Sequence, residues 1–202
     1  FGGNDMVYRI AWALARLLLL VLNLKKEGLK KLPPKGPIIV AANHVSNWDP
    51  IIVGASLSRP VHFMAKVELF NNVFLGKLLT ALHAFPVRRG AADRRAIRQA
   101  LDILAAGEVV GIFPEGARQK VKPDIQVQAG VALLALKSGA QVLATACIGT
   151  DKNFPSGWFR PLIIRVGDPI NLDEYKNQKI NSALLEEISM KIMREINSLL
   201  DK

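Results

Sequence analysis

The sequence predicts an α/β fold: a central, mostly parallel or mixed β-sheet of about seven strands flanked by helices, with an amphipathic helix in front of it. Three observations lead there. Short apolar, β-branched runs alternate with helix-period patterns, as expected of strands joined by helices. The 202 residues are 50% apolar and 22% charged, enough for one buried core and too apolar for wholesale disorder. One cysteine and three histidines exclude a disulfide framework and the usual cysteine-based zinc sites, so no metal site is expected.

Taken in order, Phe1–Asp5 precede a methionine and are set outside the fold as an appended remnant. Val7–Leu24 is almost wholly apolar, and its polar residues Arg9, Arg16 and Asn23 recur every seven positions on one stripe of a helix. The uncharged part, Leu17–Leu24, is only about 12 Å long at 1.5 Å per residue, against a bilayer core of about 30 Å. Extending the segment back to Val7 puts Arg16 near the middle, at roughly 2.5–3.5 kcal/mol. Lying in the membrane interface suits the segment better, with Lys25, Lys26, Lys30 and Lys31 on anionic head groups. Packing on the domain's own core is the plainer alternative. Pro33-Pro34 closes this module, so the division is 6–34 for the membrane-binding module and 35–202 for the α/β domain.

Strands are expected at 36–42, 61–64, 84–87, 109–113, 142–148 and 162–166, with 24–28 as a possible edge strand. Helices are expected at 50–57, 73–82, 93–106, 128–138 and about 181–200. The last carries Leu185, Ile188, Ile192, Ile196 and Leu199 on one face. There is no GxGxxG and no P-loop.

The net charge of +10 calls for an anionic partner: nucleic acid, a phosphorylated substrate or an anionic membrane. Residues 1–122 carry 18 Lys/Arg and 8 Asp/Glu, whereas residues 123–202 carry 9 of each. So uneven a surplus fits a site or a docking face. No helix-turn-helix, RRM or zinc-finger pattern is present, and no nucleic acid is expected as partner.

Ligands of open α/β sheets gather at the carboxyl ends of strands. Four such ends carry chemistry: 43–49 (Asn-His-Val-Ser-Asn-Trp-Asp), 88–90 (Arg-Arg-Gly), 114–118 (Pro-Glu-Gly-Ala-Arg) and 149–152 (Gly-Thr-Asp-Lys). His44 and Asp49 are five apart, a poor spacing on one helix. A loop folding back at the strand-to-helix junction could join them into a His–carboxylate pair able to take a proton from a hydroxyl. Asp49-Pro50 also reads as a plain helix start.

With the four ends taken together, the chain resembles the glycerophospholipid acyltransferase family. Asn43-His44-Val45-Ser46-Asn47-Trp48-Asp49 fits its Asn-His-x-x-x-x-Asp block. Phe113-Pro114-Glu115-Gly116-Ala117-Arg118 fits its Phe-Pro-Glu-Gly-Thr-Arg block, with Ala117 for Thr. Phe85–Gly90 fits the short block between them, with Arg88 where Asp is common and Arg89 at the expected Arg. Residues 142–146 stand at the fourth block without its usual Pro, and Lys66, Glu68, Leu69 and Phe70 also match.

The resemblance implies a one-step acyl transfer with no cofactor. His44 would be the general base on the 2-hydroxyl of lysophosphatidate, and Asp49 its orienting carboxylate. The donor would be an acyl thioester of acyl carrier protein or coenzyme A. Arg89, Glu115, Gly116 and Arg118 would bind the glycerol phosphate. The enzyme would sit peripherally on the cytoplasmic face of the cell membrane. Glycerol-3-phosphate or another lysolipid as acceptor, and a non-enzymatic lipid-binding protein, are the alternatives. Arg94, Arg95 and Arg98 read as a solvated basic face and His62 and His83 as structural. Cys147, in an apolar strand, is not read as a nucleophile. Trp48, Phe70 and Phe74 read as acyl-channel lining or core.

Overall fold

The computed structural model describes residues 2–88, 93–115, 129–150, 161–175 and 177–201, with backbone alone for residues 2–5. Seven strands form one sheet: β1 (Lys25–Glu27), β2 (Ile38–Ala42), β3 (Val61–Lys66), β4 (Phe85–Val87), β5 (Val109–Ile112), β6 (Gln141–Ile148) and β7 (Ile163–Ile170). Their spatial order is β1-β7-β6-β2-β5-β3-β4. All neighbours are parallel except β6 and β7, so β1 and β7 run against the other five. The helices are α1 (Gly2–Val21), α2 (Asp49–Ser56), α3 (Val73–Ala81), α4 (Arg94–Ala105), α5 (Gly130–Ser138) and α6 (Ser182–Leu200). Every expected element is present with small shifts at its ends. α1 also runs through residues 2–5, where the sequence predicts an appended segment outside the fold.

The central strands are apolar on both faces, as helices on both sides demand. On one face Ile39, Ala41, Val110, Ile112, Val142, Ala144 and Ala146 pack with residues of α4, α5 and α6. On the other, Ile38, Val40, Ala42, Val109, Leu143 and Cys147 pack with Ile52 and Val53 of α2 and Leu19 of α1. The period-2 alternation thus feeds two cores rather than one core and solvent.

The crossovers create the site. β2 is followed by α2 on the second face, and α5, on the first face, leads from β5 into β6. β2 and β5 are neighbours, and α2 and α5 lie on opposite faces of the sheet; the carboxyl ends of such strands are where open α/β sheets bind ligands. At the opposite edge the Arg59 guanidinium ties the chain together by donating to the carbonyls of Pro33, Gly36 and Gly107.

α1 divides its apolar residues. Ala15 and Leu19 pack on the domain, while Met6, Ile10, Leu14, Leu17, Leu20 and Val21 are exposed. The Arg16 guanidinium lies 4.0 Å from the Trp12 ring centroid, a cation–π contact on the same helix. No helix among the described residues is long and apolar enough to cross a membrane.

Candidate active site

The segment between β2 and α2 folds back on itself, as a five-residue spacing requires. His44 Nδ1 lies 3.1 Å from Asp49 Oδ2, and both side chains are buried. Asp49 is the first residue of α2, and no side chain caps this helix. Its carboxylate turns backward instead: Oδ2 accepts from the N–H of Val45 at 2.8 Å and of Ser46 at 2.7 Å. Oδ1 accepts from the Thr150 hydroxyl at 2.7 Å. The plain helix-cap reading of Asp49 is thereby replaced. Four donors converge on a fully buried carboxylate, so its charge is solvated by protein alone. A carboxylate only accepts, so the shared proton belongs on Nδ1 and the imidazole Nε2 is left as an acceptor.

Asn43 fixes the strand end that carries His44. Its Nδ2 donates to the Cys147 carbonyl at 3.0 Å, and its Oδ1 accepts from the Cys147 N–H at 2.7 Å. This two-way bond replaces sheet pairing just where β2 stops and keeps β6, with Thr150 beyond it, in register. Gly149 lets the chain turn there. Its φ is +88°, and a Cβ at this position would lie 2.5 Å from the Pro161 carbonyl oxygen. The Cys147 thiol is fully buried, and burial followed by the charge of Asp49 pushes its pKa well above the ordinary range. It is no nucleophile.

The imidazole is also held by an aromatic ladder. His44 stacks on Phe113 with centroids 4.2 Å apart, and Phe113 stacks on Phe63 at 5.7 Å. The ladder needs Gly111. Phe63 pairs with Gly111 across β3 and β5, and a Cβ on Gly111 would lie 2.3 Å from the Phe63 ring.

Glu115 follows β5, and its Oε2 is buried with no hydrogen-bond partner among the described residues. Burial, reinforced by the charge of Asp49 and opposed by the His44 N–H, pushes its pKa up to about 7. The structure thus brings together His44, Asp49 and Glu115. Arg89, Gly116 and Arg118 lie outside the described residues. No group of three or more histidine, cysteine, aspartate or glutamate side chains suited to a metal occurs among the described residues.

The profile of the Acyltransferase family matches residues 23–148, more than half of the chain, including His44, Asp49 and Glu115. The chain belongs to this acyltransferase family. A 1-acyl-sn-glycerol-3-phosphate acyltransferase of Bacillus subtilis is 30% identical over 197 residues, covering 94% of this chain and 96% of that protein. An enzyme of the same name from Borreliella burgdorferi is 28% identical, covering 82% of this chain and 70% of its own. Among solved structures, the 1-acyl-sn-glycerophosphate acyltransferase PlsC of Thermotoga maritima shares the fold, with a TM-score of 0.69 and 24% identity over 97% of this chain and 80% of its own.

Several residues that build this site have no role among the sequence expectations. Thr150 lay in a strand end noted for its chemistry, but its partner is 101 positions away. Phe113 and Asn43 lie inside the blocks that carry the resemblance, beside the residues to which it assigns chemistry. Gly111 and Phe63 gave no sequence signal. Arg94, Arg95 and Arg98 are exposed, as expected. His62 and His83 stack on each other at 4.8 Å and His83 stacks on Tyr8 at 4.5 Å, so both pack α1 against the sheet. Burial first, then His83, pushes the pKa of His62 down to about 4. Trp48 packs against the second core, but Phe74 is 86% exposed and belongs to neither a channel nor the core.

Proposed function

We propose that this chain transfers a fatty acyl group from a thioester to the 2-hydroxyl of 1-acyl-glycerol-3-phosphate, yielding phosphatidic acid at a membrane surface. The single observation that carries the chemistry is the His44–Asp49 pair. An imidazole whose Nδ1 proton is committed to a saturated, buried carboxylate has Nε2 available to accept a proton.

His44 Nε2 takes the proton of the acceptor hydroxyl while its oxygen attacks the thioester carbonyl. Asp49 stabilises the imidazolium that forms. The tetrahedral intermediate collapses, the C–S bond breaks, and the thiolate takes the proton back from His44. One C–O bond replaces one C–S bond, with no acyl-enzyme and no cofactor. General-base help of this kind is worth about 10²–10⁴ in rate.

Arg89 and Arg118 grip the phosphate, since paired guanidinium groups suit a dianion. Gly116 belongs to the same proposed phosphate site. Glu115, with a pKa of about 7, accepts from a glycerol hydroxyl when ionised and donates when protonated. The relatives' names support the acceptor. The exposed apolar face of α1 and its following lysines support peripheral attachment to a membrane; the cytoplasmic face, and acyl carrier protein or coenzyme A as donor carrier, complete the proposal.

A donor-by-acceptor matrix tests the reading. Purified protein is offered acyl carrier protein and coenzyme A thioesters, each with lysophosphatidate, glycerol-3-phosphate, other lysolipids or no acceptor. Thiol release confined to lysophosphatidate supports the assignment. Release with another acceptor alone moves the same chemistry to that substrate, and liposome binding without turnover leaves only a lipid-binding protein.

A further inference from the structure

The surface carries apolar area that the reading of α1 as an interfacial helix does not use. α3 exposes Phe74 at 86%, Val73 at 63% and Leu78 at 46%, and the preceding turn exposes Leu69. These are large side chains in adjacent turns, not scattered singles. A contiguous patch of this kind on a soluble face marks a contact surface. Asn72 caps the helix by accepting from the N–H of Phe74 and of Leu75, so the exposed turn is a formed helical end rather than a frayed one.

The topology says where this end lies. α3 follows the carboxyl end of β3, and β3 is parallel to β5, which is parallel to β2. The first turn of α3 therefore stands at the same sheet edge as His44, toward the β4 margin. α1 reaches that edge from the other side. It delivers the chain into β1, whose Lys25 pairs with Ile163, and Ile163 pairs with Ile148 at the carboxyl end of β6. Leu20 and Val21, both exposed, stand at that margin. Between the two lies Ile51, exposed and two residues beyond Asp49. The two helices are also joined, since α1 packs on α3 and Tyr8 stacks on His83 just past its end.

Charge selects the occupant. Met6–Val21 and Val73–Ala81 contain Arg9, Arg16 and Lys77 and no acidic residue. Glu68, beside Leu69, is 3.5 Å from Lys66, so cations are in excess around this apolar surface, which fits an anionic bilayer.

We propose that the first turn of α3, centred on Val73 and Phe74, is a second membrane-inserting element, which with the end of α1 sets the catalytic edge against an anionic bilayer. It rests on the reading of α1 as interfacial. The acceptor hydroxyl of a lipid then meets His44 without the acyl chain leaving the membrane.

Site-directed spin labelling tests this on the full chain. Cys147 is buried, so Leu14→Cys, Phe74→Cys and Arg98→Cys can each be labelled singly. Vesicles of equal phosphatidylglycerol and phosphatidylcholine are added, and the accessibility of each label to oxygen and to a water-soluble nickel chelate is measured. The expected result is that labels at 14 and 74 become oxygen-accessible and chelate-protected, while the label at 98 stays aqueous. A label at 74 that stays aqueous while 14 inserts overturns the proposal and leaves the α1 reading standing. Labels aqueous at both positions overturn both. Spin–spin broadening at 74 before vesicles are added means that a second copy covers the patch, and overturns it also. As a functional companion, Val73→Ser with Phe74→Ser should weaken vesicle binding about tenfold or more. It should leave turnover of a monomeric short-chain acceptor unchanged, and an equal loss on both acceptors would contradict insertion.

Discussion

The Thr150 hydroxyl donates to Asp49 Oδ1 at 2.7 Å, joining the end of β6 to the start of α2 across 101 residues. It leaves the other carboxylate oxygen to His44 and two backbone N–H groups. Thr150→Val removes this donor and keeps the shape. The buried carboxylate then loses about 1–3 kcal/mol of hydrogen bonding. We expect a lowered Tm and a fall in kcat of about 10-fold or more with KM little changed. Thr150→Ser should keep most of the activity. Equal losses in the two variants would argue for packing rather than for the bond.

Asp49→Asn tests the tautomer. An amide can present its NH₂ to the ring and favour a proton on Nε2, the nitrogen that must be bare. Loss of kcat by about 10³–10⁴ is expected where the carboxylate sets the tautomer. Circular dichroism and steady-state kinetics on the same preparation separate this from unfolding.

Gly111→Ala tests the aromatic ladder. The added methyl meets the Phe63 ring, and Phe63 lies against Phe113, which lies against His44. Overpacking of this sort costs about 1–3 kcal/mol. The variant should lose both stability and kcat, and Phe63→Leu in the same chain should restore part of each. Additive losses in the double variant would show that the two residues are not coupled.

The sheet and its helices were legible because strands buried on both faces read as short apolar runs between helix periods. The strand order was not. Nothing local says that β5 inserts between β2 and β3, or that β7 runs antiparallel to β6. The His44–Asp49 pair was legible through its block, although its spacing alone favoured a plain helix start. Thr150, Gly111 and Phe63 act through contacts between strands far apart in sequence, which no local pattern encodes. The exposure of Phe74 was not legible, because an apolar residue at a helix start looks the same in sequence whether it is buried or 86% exposed.

Glu115 carries a pH signature. Its carboxyl has an ordinary pKa of 4.5 and is raised to about 7 in the fold. The unfolded chain therefore releases this proton first as pH rises. The protein loses stability between about pH 4.5 and 7, and the loss levels off above that window. Glu115→Gln cannot titrate. Thermal melts should show the variant gaining on the parent as pH rises from 5 to 7, with only a small further gain from 7 to 8. A difference independent of pH would mean that the carboxyl is not held protonated.

The most direct measurement is thiol release from an acyl thioester by the parent chain and by His44→Ala, each with and without lysophosphatidate. The account predicts release by the parent only when lysophosphatidate is present. It predicts none above background from His44→Ala, with the fold of the variant intact by circular dichroism. Acceptor-dependent release that persists in His44→Ala would contradict it.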